Sequence, residues 1–173
     1  MRQLAIIWHS MTGGSESLAQ AAYDGARRVE GIDALMVNAA EAGAEHMLAA
    51  DGYLFVFPEN LAAISGGMKS FFDRCYYPCL GALNGRPYAM IICAGSDGHN
   101  AVAQAERIAT GWRLRQIVPS IIVCTHAQTP EAIMAPKIIE DVHLSAAAEL
   151  GEQIATGLQM GVYYSASSVL TRS

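Results

Sequence analysis

The feature that most restricts the fold of this chain is a repeated alternation of short apolar runs with segments of helical spacing. The five apolar runs are QLAIIWH (3–9), DALMVNAA (33–40), GYLFVF (52–57), PYAMIICA (87–94) and SIIVCT (120–125). Helices are predicted between and after these runs, at residues 15–29, 44–50, 65–77, 99–115 and 137–160. A strand that is apolar along its whole length is buried on both faces, as the strands of parallel sheets are.

This alternation predicts an α/β fold built as a three-layer sandwich. Helices would cover both faces of a five-stranded parallel sheet. Right-handed crossovers then favour the strand order 2-1-3-4-5. We expect Pro58 to end the third strand. Because the 173 residues contain no repeat and no charged linker, we expect residues 1–173 to form a single domain.

Composition narrows the classes of partner. A net charge of −5 argues against a nucleic-acid surface and against a basic membrane patch. No apolar window reaches the roughly 18 residues that a membrane span needs, and residues 1–10 are too weakly apolar for a signal peptide. These observations predict a cytoplasmic protein. The cysteines lack the spacing of a metal or redox motif, so we expect reduced structural thiols and no metal site; they are Cys75, Cys79, Cys93 and Cys124.

The loop after the first strand, HSMTGGSES (9–17), has the composition of an anion site. In a doubly wound fold the ligand lies beyond the carboxyl ends of the strands. Glycines let successive N–H groups point inward, and the helix that follows adds its positive end. Hydroxyls are available from Ser10, Thr12, Ser15 and Ser17. We call this segment the glycine loop.

Known phosphate motifs do not account for the glycine loop. It lacks the lysine of a P-loop and the G-x-G-x-x-G of a dinucleotide fingerprint. This leaves a site that binds a phosphate through neutral donors alone. A hydroxyl-rich helix cap and turn with no ligand is the alternative reading of the same residues.

Two further loops lie at the same predicted edge of the sheet. PENLAAISGG (58–67) follows the third strand, and CAGSDGHN (93–100) follows the fourth. Asn60 offers a donor and an acceptor, Ser65 is placed to cap the next helix, and the glycines allow close approach of a flat ligand. Each loop alone also fits a plain turn, but three together at one edge favour a binding site.

Two of these segments carry a resemblance to a known family. SMTGGSE (10–16) resembles the flavodoxin phosphate loop [ST]-x-T-G-x-[ST]-E at each defined position. PENLAAISGGMKSFFDR (58–74) is similar to the corresponding stretch of flavodoxin-like NAD(P)H-dependent FMN reductases and quinone oxidoreductases. The resemblance covers the chain well to about residue 100.

The resemblance implies bound FMN and a set of residues that contact it. The phosphate would be enclosed by Ser10, Met11, Thr12, Gly13, Gly14 and Ser15. The isoalloxazine would be lined by Pro58, Glu59, Asn60, Ile64, Ser65 and Gly66 on one side, and by Ala94, Gly95 and Ser96 on the other.

One departure from electron-transfer flavodoxins bears on function. Those proteins usually sandwich the flavin between aromatic side chains, whereas these two loops contain neither Trp nor Tyr. An uncovered ring face favours an NAD(P)H-dependent FMN oxidoreductase that reduces a quinone, a free flavin or a similar small acceptor. The flavin supplies the chemistry, so no protein side chain is expected to be catalytic.

Other functions are compatible with the same residues. The alternative to a reductase is a flavodoxin-like electron-transfer protein or a non-catalytic ligand-binding module. A response-regulator receiver shares the topology but needs acidic residues where this chain has WHSM and FPEN. The weakly charged segment GVYYSASS (161–168) is expected to pack on a partner subunit in a homodimer or homotetramer.

Overall fold

A twisted, mostly parallel sheet forms the centre of the structure, a computed structural model that describes residues 1–164. The strands are β1 (Arg2–Trp8), β2 (Ile32–Asn38), β3 (Gly52–Asn60), β4 (Ala63–Ile64), β5 (Pro87–Ala94), β6 (Arg115–Gln116) and β7 (Ile121–Cys124). The helices are α1 (Gly14–Ala26), α2 (Ala44–Ala49), α3 (Gly66–Tyr76), α4 (His99–Gly111), α5 (Pro130–Met134) and α6 (Asp141–Met160).

The five main strands lie in the predicted order. β1 lies between β2 and β3, β3 pairs with β5, and β5 pairs with β7, all in parallel. Numbered along the chain, these five strands follow the order 2-1-3-4-5. The flavodoxin-like α/β sandwich predicted from the sequence is therefore confirmed.

Two short strands were not predicted. β6 pairs with the first two residues of β5, along the same edge that β7 continues. β4 folds back on the end of β3 and is antiparallel to it. Each contributes only two residues, which is too short a run to give a periodic signal in the sequence.

The expectation that Pro58 ends the third strand is wrong. β3 continues through Pro58 to Asn60. Proline lacks an N–H, but its carbonyl accepts from the N–H of Ser65 at 3.3 Å. In an antiparallel pair, residue 58 would also donate its N–H to the carbonyl of Ser65. This carbonyl accepts instead from the N–H of Lys69 at 2.9 Å, in the first turn of α3. The Ser65 carbonyl therefore has a partner although Pro58 has no N–H to donate.

The predicted last helix is also corrected. Helix was predicted over 137–160, but α6 begins at Asp141, and the five-residue α5 precedes it. Thr129 caps α5 by accepting from the N–H of Ala132 at 3.2 Å. Ala135, which precedes Pro136, is held in an extended conformation, and this ends the helix. Ile138, which lies within the predicted range but before α6, is 95% exposed.

The predicted end of the fourth helix was four residues too late. α4 stops at Gly111 because Arg113 adopts a left-handed backbone with φ 56°. The N–H of Leu114 then donates to the carbonyl of Ala109 at 3.0 Å, which is the Schellman arrangement of a helix end. Because Arg113 rather than glycine occupies this position, nothing in the residue pattern indicated the helix end.

Apolar side chains fill both faces of the sheet. On the face covered by α3 and α4, aromatic rings pack edge to face or tilted against one another. They belong to Phe55 of β3, to Phe71 and Phe72 of α3, and to Trp112 at the end of α4. On the other face, α1 and α6 cover a mainly aliphatic layer. Within residues 1–164, no helix is long and apolar enough to cross a membrane.

The segment predicted to pack on a partner subunit is described only in part. Residues 165–168 lie outside the described residues. Tyr164 packs on its own chain, because its hydroxyl donates to the carbonyl of Asp51 at 3.0 Å and Arg2 lies over its ring. The homo-oligomer stays a prediction.

Candidate functional site

The three predicted loops and the segment after β7 border one cavity of about 730 Å³ at the carboxyl edge of the sheet, which is within the usual range for a small-molecule site. We call it the carboxyl-edge cavity. Eight of the residues predicted to bind a ligand line it: Met11, Thr12, Pro58, Glu59, Asn60, Ala94, Gly95 and Ser96. Residues of the first, second and third predicted loops thus lie around the same space.

The glycine loop presents unused donors at the start of α1. Gly13 is the N-cap and has φ +90°, a conformation that favours glycine. The N–H groups of Gly14, Ser15 and Glu16 open the helix and have no backbone acceptor in the described chain. The N–H of Gly13 is already used, since it donates to Ser10 Oγ at 2.9 Å.

Ser15 has the clearest unsatisfied group in this loop. The residue is 1% exposed, and its hydroxyl has no oxygen or nitrogen partner among the described residues, the sulfur of Cys93 being its polar neighbour. It lies near the thiol of Cys93, whose pKa is raised to about 11 by burial, so this thiol is neutral at pH 7. A buried hydroxyl beside free helix N–H groups is suited to an anion with several oxygens.

Ser17 does not contribute as the sequence suggested. It was expected to offer its hydroxyl to an anion. Its Oγ donates instead to the carbonyl of Gly13 at 3.0 Å, within the first turn of its own helix. A hydroxyl at this helical position reaches back to the preceding turn rather than outward.

The loop after β3 is a tight hairpin that borders the cavity. Glu59 pairs with Ile64 and Asn60 with Ala63, so Leu61 and Ala62 form a two-residue turn, both with left-handed backbone (φ 51° and 57°). Leu61 is fully exposed at the tip. Both turn residues line the cavity, although Leu61 was not among the residues expected at the site.

Helix α4 supports this hairpin from outside the sheet. The Asn100 side chain donates to the carbonyl of Ala62, and the N–H of Ile64 donates to Gln104 Oε1 at 3.1 Å. These bonds hold the turn in place, and the left-handed backbone at two non-glycine residues is stabilised by the surrounding contacts.

Three predicted ring-lining residues lie behind the hairpin rather than at the cavity: Ile64, Ser65 and Gly66. Ser65 is fully buried at the N-cap of α3, but its hydroxyl makes no cap bond and pairs with His9 Nδ1 at 2.9 Å. Burial lowers the pKa of His9, which favours a neutral imidazole. A Cβ on Gly67 would lie 2.5 Å from this ring, so glycine is required there. These residues therefore support the loop from beneath.

Glu59 brings a second unsatisfied group to the cavity. Its Oε1 accepts from the N–H of Gly98 at 3.1 Å, which fixes the carboxylate against the N-terminus of α4. Its Oε2 is buried and has no partner among the described residues. Since Glu59 lines the cavity, this oxygen is suited to accept a hydrogen bond from a ligand N–H.

Several lining residues come from a segment that sequence reasoning missed. Besides Leu61, Ala62 and Cys93, the additional lining residues are Thr125, Ala127, Ile133, Met134 and Lys137. The last five follow β7 and belong to or flank α5. The signal was available, because the fifth strand also ends at the carboxyl edge, but only the loops after the first, third and fourth strands were considered.

Comparison with known proteins decides the family. The family described as NADPH-dependent FMN reductase matches residues 15–129, which is more than half of the chain. The chain belongs to this family. The resemblance stated from the glycine loop and the β3–β4 region is thereby confirmed.

Two curated relatives of this chain are described as a flavodoxin and as a quinone dehydrogenase. A flavodoxin of Aquifex aeolicus (strain VF5) is 32% identical over 108 residues, covering 60% of this chain and 56% of the relative. The probable NAD(P)H dehydrogenase (quinone) FQR1-like 2 of Arabidopsis thaliana is 27% identical over 118 residues, covering 56% of this chain and 43% of the relative. The chain thus spans about half the length of these relatives.

Solved structures support the fold alone. An archaeal flavodoxin superposes with a TM-score of 0.72 at 14% identity, covering 91% of this chain and 99% of that one. A WrbA-like flavodoxin of Agrobacterium tumefaciens gives 0.71 at 14% identity, covering 92% and 99%.

Proposed function

We propose that this chain binds FMN in the carboxyl-edge cavity and reduces a small acceptor, a quinone or a free flavin, with electrons from NAD(P)H. The observation that carries the proposal is the buried hydroxyl of Ser15, which has no oxygen or nitrogen partner among the described residues, beside the free N–H groups at the start of α1. The family to which the chain belongs supports the cofactor and the electron donor.

The phosphate of FMN would be held by the glycine loop. The N–H groups of Gly14 and Ser15 and the hydroxyls of Thr12 and Ser15 would donate to it, while Ser10 holds Gly13 in its left-handed conformation. A Cβ on Gly14 would lie 2.9 Å from Cys93 Sγ, so glycine lets the loop pack closely on β5. Met11 contributes backbone and a side chain at the cavity wall.

The isoalloxazine would lie between the hairpin and the loop after β5. Pro58 and Asn60 would border one face, and the small residues Ala94, Gly95 and Ser96 would leave room on the other. The free Oε2 of Glu59 would accept an N–H of the ring's pyrimidine portion.

The site leaves a ring face accessible to a second molecule. Among the described residues that line the cavity, none is aromatic, and Leu61 at the hairpin tip points into solvent. When bound, the flavin supplies hydride acceptance and electron transfer, so the chain binds, orients and shields rather than moving a proton itself. An open face suits a nicotinamide and a flat acceptor better than a protein partner that takes one electron at a time.

The phosphate site is tested by comparing FMN with riboflavin, which lacks the phosphate. Two or three charge-assisted hydrogen bonds at roughly 1.5 kcal/mol each predict FMN binding tighter by about 2–4 kcal/mol. Quenching of flavin fluorescence in a titration of the flavin-free protein measures both affinities. Equal affinities would remove the phosphate site and with it this proposal.

A further inference from the structure

Lys137 is one of only two lysines in the chain, and it lies against the glycine loop. Its backbone N–H donates to the carbonyl of Thr12 at 2.7 Å. Its Cβ is 3.2 Å from the position that a Cβ on Gly14 would take. Its side chain lines the carboxyl-edge cavity together with Met11 and Thr12. The lysine is thus attached to the loop that was expected to bind phosphate through neutral donors alone.

The ammonium group of Lys137 is paired with neutral groups only. Its Nζ donates to the carbonyls of Ala132, Ile133 and Ala135 at 2.6 to 2.8 Å, at the end of α5. In residues 1–164 no carboxylate lies within 4.0 Å of it. By contrast, the other lysine, Lys69, forms an exposed ion pair with Asp73 at 2.6 Å.

The charge of Lys137 is felt at Cys93, beside the glycine loop. The side chain is half-buried, and its positive charge opposes the effect of burial on the pKa of Cys93, which lies next to Ser15. An FMN phosphate would bring up to two negative charges into a cavity that already contains the Glu59 carboxylate. Neutral donors and a helix end offset this charge only in part.

We infer that Lys137 is an FMN-binding residue, and that its ammonium is the counter-charge for the phosphate held by the glycine loop. The inference rests on the proposed function and goes beyond it, because it adds a cation to a site composed otherwise of neutral donors. α5 then has a role, since carbonyls at its end hold the ammonium of a residue whose backbone is bonded to the glycine loop. The nicotinamide dinucleotide also carries phosphates, but the bond of Lys137 to Thr12 ties it to the FMN loop.

The test measures FMN and riboflavin affinities for the full chain and for Lys137→Gln, Lys137→Arg and Lys69→Gln. Loss of the positive charge near the phosphate predicts FMN binding weakened about tenfold in Lys137→Gln, with riboflavin binding changed by less than about twofold. Lys137→Arg restores most of the FMN affinity because it keeps the charge. Lys69→Gln removes the other lysine and leaves both affinities unchanged. The FMN defect shrinks as salt is raised from about 0.05 to 0.5 M, because salt screens the charge.

The outcomes separate this inference from the proposal on which it rests. If the unaltered protein binds FMN no better than riboflavin, the phosphate site itself is absent and both fail. If it prefers FMN and Lys137→Gln keeps that preference, the site stands and the counter-charge is overturned. Equal weakening of FMN and riboflavin would mean that Lys137 only stabilises α5. A defect confined to NADPH affinity, with FMN unchanged, would assign the lysine to the dinucleotide and overturn the inference as well.

Discussion

Gly13 determines the shape of the glycine loop at the scale of single residues. Its φ of +90° turns the chain so that the next three N–H groups face the same way, and its own N–H is held by Ser10. A Cβ at this position would meet no atom within 4 Å, so space does not require glycine; backbone conformation does.

Gly13→Val is therefore expected to reduce FMN binding by at least tenfold while the fold is kept. A β-branched residue disfavours the left-handed backbone by about 1–2 kcal/mol, so the loop moves and its donors no longer converge. The measurement is a fluorescence titration with FMN, accompanied by a thermal melt.

Gly81→Val is the matched control for this change. Gly81 also has a positive φ, +76°, with open space around a Cβ, but it lies in the turn before β5, at the opposite edge of the sheet. We expect a similar loss of stability and no loss of FMN affinity. Normal FMN binding by Gly13→Val would show that the loop does not hold the phosphate.

At the scale of elements, the contact of α1 with α6 holds the helix whose N-terminus forms the site. A Cβ on Gly151 would overlap the carbonyl of Ala22, and one on Gly25 would overlap the carbonyl of Ala148. The two backbones therefore approach at both points more closely than any side chain allows. The position of α1, and with it the direction of its first N–H groups, depends on this approach.

Gly151→Ala is expected to destabilise the protein by about 1–3 kcal/mol, because the helices must separate. Chemical denaturation followed by circular dichroism measures the free energy of unfolding. Gly111→Ala is the matched control, since its Cβ would meet only Tyr76 at 3.4 Å and the substitution favours helix by up to about 1 kcal/mol. An unchanged stability in Gly151→Ala would show that the helices are not in such close contact.

The elements that the sequence predicted well are those with a long periodic signal. The five main strands, α1, α3, α4 and most of α6 were found because apolar residues recur over many positions, and the strand order followed from crossover rules. The β3–β4 hairpin and α5 were missed because each depends on two to five residues and on tertiary bonds, such as that from Asn100 to Ala62. Lys137 was missed because the loop after the fifth strand was not considered, and its contact with Thr12 joins residues 125 positions apart.

At the scale of the whole molecule, the topology brings four loops to one edge, and function depends on what they leave uncovered. Two of the loops bear the donors and acceptors that suit FMN, and none of the described lining residues is aromatic. The family to which the chain belongs is described as NADPH-dependent FMN reductase, whereas one relative of this chain is described as a flavodoxin. These two activities differ in whether a nicotinamide reaches the bound flavin.

Anaerobic mixing of the FMN-loaded protein with NADH or NADPH in a stopped-flow spectrophotometer tests this most directly. Hydride transfer requires the donor carbon to lie within about 3–3.5 Å of the flavin, which an uncovered ring face permits. We predict that one of the two nicotinamides removes the visible flavin absorbance in a single two-electron step, much faster than it reduces free FMN at the same concentration. If neither nicotinamide reduces the bound flavin while dithionite does, the reductase is contradicted and the electron-transfer alternative takes its place.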